Sequence, residues 1–190
     1  MARAARPHSS PWQIPNVEGE QPVFGATGEI FFRKLEGSTS FLYRVQADGG
    51  GLRKAFDIPV VGILGESPDR NSLLLGSAGS LDLVMFRIDG GAARPIKLPP
   101  PTELRWSGDG KHVFVQRRLS NLGTAYILPL TPGHLVPESI IQGLPSEQDI
   151  LKLPGVRVIV SNDVAPGPTA DIYAFARESV QRNLYRIPVP

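Results

Sequence analysis

Ser107-Gly108-Asp109-Gly110-Lys111-His112-Val113-Phe114-Val115 reads as a tight turn running into a strand. Serine and aspartate offer side-chain acceptors to nearby backbone N–H groups, and glycine tolerates the positive φ that reversals require. The β-branched and aromatic residues that follow favour pleated backbone. The same order stands about 40 residues earlier, where Ser67-Pro68-Asp69-Arg70-Asn71 precedes Ser72-Leu73-Leu74-Leu75. Gly25-Ala26-Thr27-Gly28 likewise precedes Glu29-Ile30-Phe31-Phe32, and a fourth copy is read at Arg157-Val158-Ile159-Val160 after Leu153-Pro154-Gly155.

A second strand accompanies each copy: Leu42-Tyr43-Arg44-Val45, Met85-Phe86-Arg87-Ile88, Ile127-Leu128-Pro129-Leu130 and Leu184-Tyr185-Arg186-Ile187. The first three run into turns at Ala47-Asp48-Gly49-Gly50-Gly51, Asp89-Gly90-Gly91 and Thr131-Pro132-Gly133. Asp-Gly pairs of this kind are hairpin signals. The interval is about 43 residues, then about 42, then longer by about 15. Four-stranded blades recur every 40–45 residues or so, a period and a strand chemistry that helical repeats lack. An insertion near Leu144–Leu153 and a longer loop over Asp163–Asp171 are expected to absorb the final excess. The helix candidate is Ser146–Leu153, with Ser146 as its cap. Residues 176–182 have some helical propensity, but Ile172–Phe175 and Leu184–Ile187 read better as a hairpin.

The reading is an all-β, β-propeller-like array of about four blades of four-stranded antiparallel sheets, or part of a ring. Approximate blades are residues 23–60, 61–102, 103–143 and 144–190. Residues 1–22, with Pro7, Pro11, Pro15 and Pro22, form an extended lead-in carrying at most one outer strand, because proline cannot donate to a central ladder. No separate domain boundary is evident.

The 190 residues carry 20 Lys+Arg, 18 Asp+Glu, 20 Gly and 19 Pro, with 41% hydrophobic residues and no cysteine. This is turn-rich globular composition and not disorder. A formal charge of +2, with the pairs Arg33-Lys34, Arg53-Lys54 and Arg117-Arg118 scattered, lacks the charge density of a nucleic-acid groove binder. The absence of cysteine excludes disulfides, thiolate metal sites and a cysteine nucleophile. No apolar run approaches the roughly 18 residues of a membrane span, and no apolar core follows the basic start as in a secretory signal. The compartment stays open: cytoplasmic if the chain is complete, periplasmic or otherwise extracytoplasmic if it belongs to a larger protein.

The turn and strand motifs Ser67-Pro68-Asp69, Ser107-Gly108-Asp109-Gly110-Lys111 and Leu42-Tyr43-Arg44-Val45-Gln46-Ala47-Asp48-Gly49-Gly50 resemble the blade signature of TolB-like, WD-repeat-like bacterial β-propellers. The resemblance spans about residues 22–190. Arg70 stands where that family has glycine, Pro129 interrupts the third tetrad, and the fourth copy lacks the Asp-Gly turn. The resemblance implies the C-terminal part of a larger bacterial signalling or regulatory protein, since such propellers often follow a kinase or a winged-helix regulator. An open array leaves unpaired strand edges, so self-association that completes a ring is also expected.

Chemistry is sparse. Gly76-Ser77-Ala78-Gly79-Ser80 is not a nucleophile elbow and reads as a hairpin loop between Leu75 and Leu81. His8, His112 and His134 share no metal-ligand spacing, and His112 reads as a partly exposed strand residue. Asp69 and Asp109 recur at one place in the repeat, which marks turn-forming residues rather than acid/base or cation-binding groups. Asp48 and Asp89 are turn residues too, and Glu178 with Arg177 and Arg182 forms a surface ion-pair cluster. Phe24, Phe31, Phe114 and Tyr126 read as inter-blade core, Trp106 as blade packing, and Trp12 as cover for a blade edge or, alternatively, an anchor for a partner. No catalytic, cofactor-binding or metal residue is nominated, and no cofactor is implied.

The expected role is therefore recognition by a non-catalytic, signalling-type scaffold that binds a protein, a peptide or a small ligand. Its variable loops are Lys34–Ser40, Ser77–Ser80, Arg117–Gly123 and Asn162–Asp171. The alternative is an accessory propeller domain of a hydrolase or peptidase, or a propeller enzyme.

Overall fold

The computed structural model describes residues 13–79, 82–90, 93–98, 102–117, 123–141, 143, 146–161 and 163–176. Of the features named above, His8, Trp12, Ser80, Leu81, Gly91, residues 118–122 of the expected loop Arg117–Gly123, Asn162, the Arg177/Glu178/Arg182 cluster and the Leu184–Ile187 strand lie outside them. The chain divides into two compact units, Met1–Pro99 with Ile141–Gly143, and Pro100–Ile140 with Leu144–Pro190.

The first unit holds two four-stranded antiparallel sheets, each following the chain in order. One consists of β1 (Glu20–Phe24), β2 (Ile30–Glu36), β3 (Thr39–Val45) and β4 (Arg53–Phe56). The other consists of β5 (Val60–Glu66), β6 (Ser72–Ser77), β7 (Leu83–Arg87) and β8 (Arg94–Ile96). The second unit holds a third such sheet of β9 (Thr102–Trp106), β10 (His112–Arg117), β11 (Thr124–Pro129) and β12 (Arg157–Val160). It also holds a pair, β13 (Val164–Pro166) with β14 (Tyr173–Phe175). Two single-turn helices, α1 (Glu138–Ile141) and α2 (Glu147–Ile150), lie between β11 and β12. The all-β class and the repeated four-stranded antiparallel meander expected from the sequence are what the chain forms, and such meanders are the blades of propellers.

Burial explains why the strand tetrads are apolar throughout. In β10, Phe114 and Gln116 share one face with Ala125 and Ile127 of β11, their cross-strand partners. Phe114, Ala125 and Ile127 pack against Val164 and Ala170. On the other face Val113, Val115, Leu104, Tyr126 and Leu128 are buried as well. A strand covered on both faces loses the in-out alternation that marks a half-exposed one. In the first unit Phe31 and Leu42 pack against Leu73, Leu75, Val84 and Phe86 of the second sheet. Each fully buried large side chain contributes about 1.5–3 kcal/mol before conformational entropy is counted.

The lead-in supplies an outer strand, as expected. In β1, Glu20 pairs with Arg33 and Val23 with Phe31, and the register slips between them. That slip accommodates Pro22 and a positive φ of 53° at Gln21, so the proline sits at an irregularity of an edge strand. Val23 packs on the core cluster. Phe24 therefore turns to the opposite face and is 61% exposed, which corrects its place in the expected core; Phe31, Phe114 and Tyr126 are buried.

Arg157–Val160 is also corrected. Among the described residues it pairs with β11 alone, from Thr124↔Val160 to Ile127↔Arg157, and forms the outer strand of the third sheet rather than the first strand of a fourth repeat. The extra length enters between β11 and β12, where Ser146 caps α2 and accepts the Asp149 N–H. The expected loop over Asn162–Asp171 contains β13 and a turn. That turn, Gly167–Asp171, repeats the hydrogen-bond frame of the earlier ones: Ser67 N to Ser72 O, Ser107 N to His112 O, and Gly167 N to Ile172 O. It is the fourth copy of the motif. The expected loop Lys34–Ser40 is in fact a tight hairpin, with Glu36 opposite Thr39 and Gly37 at φ 61°.

Candidate functional site

The repeated turns consume their own polar groups. The Ser67 hydroxyl donates to Asp69 at 2.5 Å and accepts the Ser72 N–H at 2.9 Å, while Asp69 accepts the Asn71 N–H at 3.1 Å. In the next copy Ser107 donates to Asp109 at 2.6 Å and accepts the His112 N–H at 3.1 Å, and Asp109 accepts the Lys111 N–H at 3.0 Å. Burial works against the Asp69 charge, but the Ser67 hydroxyl and the Asn71 N–H outweigh it and hold the carboxyl below its ordinary range. The Ser107 hydroxyl, then the Lys111 N–H, lower Asp109 in the same way. Two carboxylates so engaged are turn locks.

Adjacent turns are joined by backbone within each unit. Ala26 donates to Arg70 O at 3.3 Å in the first; Gly108 donates to Gly167 O at 2.9 Å and Asp109 to Pro168 O at 2.8 Å in the second. Asp48 accepts the Gly50 N–H at 2.8 Å, and Asp89 pairs with Arg87. His112 is half-buried at the start of β10, and His134 is exposed. Among the described residues no group of three or more His, Cys, Asp or Glu is placed to hold a metal ion. Nor is any helix long and apolar enough to cross a membrane. Ser77 ends β6 and Ala78 begins the turn after it, with Ser77 N bonded to Asp82 O at 2.9 Å. Trp106 donates its indole N–H to Leu135 O at 2.7 Å, pinning the start of the insertion to β9.

The first unit also contains a groove of ≈ 400 Å³ beside β4. The hairpin through Asp48–Gly51 sets it up, because it brings Arg44 of β3 directly opposite Arg53 of β4. Both lie on the face that carries Leu42 and Phe56. Phe56, Phe86 and Ile88 line the groove, with Lys54 and Asp57 at its margin. The Phe56 and Phe86 rings lie 5.3 Å apart, centre to centre, tilted by 52°. Arg44 reaches Glu29 at 3.4 Å. Lys54 pairs with Glu36 at 3.0 Å and lies 3.6 Å over the Phe41 ring. Arg53 is exposed and makes no ion pair or hydrogen bond among the described residues.

Tyr43 and Lys54 hold the Glu36 carboxyl below its ordinary range, the Tyr43 hydroxyl having the larger effect. A second groove of ≈ 340 Å³ is lined by Glu18, Glu20, Arg33 and Lys34, of which Arg33 pairs with Glu20. The groove beside β4 was missed by sequence reasoning. Its signal was the hairpin arithmetic in Tyr43-Arg44-Val45-Gln46-Ala47-Asp48-Gly49-Gly50-Gly51-Leu52-Arg53, which sets the two arginines face to face.

No protein-family model and no curated protein matches this sequence. Among solved structures, the crystal structure of TolB from Acinetobacter baumannii is similar, at 17% identity with a TM-score of 0.46. The match covers 61% of this chain and 31% of that one, so the chain corresponds to under a third of the TolB length.

Proposed function

We propose that the chain is a non-catalytic recognition module, a set of propeller-type blades that binds a protein or peptide segment. The observation that carries this reading is the groove beside β4, where an apolar aromatic floor meets an arginine with no partner of its own. Apolar clefts with a few convergent polar groups on a rigid frame are where ligands bind. The recurring aspartates support the same reading, since Asp69 and Asp109 are committed to turns and not poised for proton transfer. The expectation of a larger signalling or regulatory protein belongs to this proposal, as does completion of a ring by self-association.

The experiment is selection from a random peptide library on the immobilised, folded chain, beside a panel of esterase, peptidase and lyase substrates. A recovered consensus with saturable binding, and no turnover above buffer, supports recognition. Turnover that persists through purification and yields no peptide consensus favours the rival reading, a propeller enzyme or the accessory domain of a hydrolase.

A further inference from the structure

We infer that the groove beside β4 receives the carboxyl terminus of an extended peptide whose last residue is apolar; this rests on the recognition reading above. Arg44 and Arg53 are direct cross-strand partners, and like charges directly opposite each other on one face repel. An anion between them relieves that repulsion. Arg44 Nη1 lies 3.4 Å from both oxygens of Glu29, whereas Arg53 has no ion pair or hydrogen bond among the described residues. Two guanidinium forks offer the planar, bidentate geometry that a carboxylate matches. Of the cations lining the groove, Arg44 already faces Glu29 and Lys54 faces Glu36, so the charge left to meet an anionic end is that of Arg53, with Asp57 also in the lining.

The rest of the occupant follows from the walls. Phe56, Phe86 and Ile88 form an apolar floor next to the arginines, which suits an apolar side chain on the residue that bears the carboxylate. β4 is the last strand of its sheet, and its outer backbone groups bond to nothing among the described residues. An extended peptide laid along β4 gains main-chain hydrogen bonds there, as in strand addition, while the arginines capture its terminus. A free amphipathic acid engages the arginines and floor but leaves the strand edge empty.

The test uses the purified chain and a fluorescein-labelled hexapeptide of β-forming residues ending in phenylalanine, made as free acid and as amide. Fluorescence anisotropy is expected to show saturable binding of the acid, and binding of the amide weaker by at least about tenfold. Arg53→Gln is expected to remove that preference, while Arg53→Lys, which keeps charge but not the fork, retains part of it. N-acetylphenylalanine should compete only at higher concentration than the hexapeptide acid, because it lacks the strand.

Equal binding of acid and amide overturns the inference, as does displacement by inorganic phosphate at lower concentration than by N-acetylphenylalanine. If Arg53→Gln leaves circular dichroism unchanged but makes the chain self-associate, with no acid preference in either form, the cations only guard a strand edge. Library peptides that bind Arg53→Gln as tightly as the natural chain leave the recognition reading standing and overturn this site.

Discussion

Gln116, near the end of β10, accepts the backbone N–H of Val164 through Oε1 at 3.3 Å and so ties the third sheet to the first strand of the pair that follows. Arg33 does the corresponding work in the other unit. It stands two residues beyond Phe31, as Gln116 stands two beyond Phe114, and its Nη1 donates to Val61 O of β5 at 2.7 Å. Gln21 adds a second tie there, its Oε1 accepting the Ile63 N–H at 3.1 Å. Gln116 is 2% exposed. Gln116→Leu keeps the volume but leaves a buried N–H without its acceptor, and is expected to destabilise by about 1–3 kcal/mol. Arg33→Ala, at a more exposed tie, should cost less than about 1 kcal/mol. Urea midpoints compare the two.

Arg70 holds a φ of 57°, where the equivalent Gly110 holds 66°. A Cβ in that region costs about 1–2 kcal/mol. Gly110→Ala is therefore expected to lower stability by about that amount. Arg70→Gly should raise it by less, since glycine loses more freedom on folding and the contact of the exposed Arg70 with Glu66 at 3.5 Å is given up. Thermal melts of both variants check the opposite signs.

Asp69 and Asp109 ionise more readily folded than unfolded. Their contribution is thus complete above the unfolded value near 3.8 and is lost as pH falls from there through the lower folded values. Glu66 runs the other way. Burial raises its carboxyl above 4.5 against the pull of Arg70, so its penalty at neutral pH is relieved as pH falls through that raised value. The double variant Ser67→Ala with Ser107→Ala should lose stability at pH 7 and show a shallower acid limb below pH 4. Stability measured from pH 7 to pH 2 tests this.

Gly167 opens the fourth turn, and a Cβ there meets Ile172 O at 2.4 Å. The obstacle is backbone, so it cannot swing aside. Gly167→Ala is expected to cost about 1–3 kcal/mol as an overpacking change, whereas Gly79→Ala, with nothing within 4 Å, should cost under about 0.5 kcal/mol. Chemical denaturation distinguishes them.

Trp106→Phe keeps an aromatic six-membered ring but removes the pyrrole half of the indole, and with it the N–H that holds Leu135 O. Loss of one such bond costs about 1 kcal/mol, and the expected signature is faster protease cleavage within residues 130–156 than elsewhere.

Turns and strands were legible because each is a local decision. Ser107-Gly108-Asp109-Gly110 reverses the chain by its own side-chain acceptor and glycines, and Val113-Phe114-Val115 fits a sheet buried on both faces. Arg157-Val158-Ile159-Val160 was misread because an outer strand and an inner one share the same composition; only pairing with Thr124–Ile127 separates them. Gly167-Pro168-Thr169-Ala170-Asp171 escaped notice because it lacks serine and aspartate at the first and third places, although its outer backbone bond, Gly167 N to Ile172 O, matches. The groove rests on Arg44 and Arg53, nine positions apart, meeting through one hairpin register. Composition says nothing of such an encounter.

The passage from β11 to β12 crosses residues 130–156, where β3 reaches β4 across 46–52. That loop is roughly four times as long, so closing it costs about 1 kcal/mol more in chain entropy. β12 is accordingly expected to be the last strand the third sheet gains and the first it gives up. In hydrogen exchange, the amides of Val158 and Val160 should open while those of Phe114 and Ile127 stay closed, giving this sheet a detachable margin that the first sheet does not have.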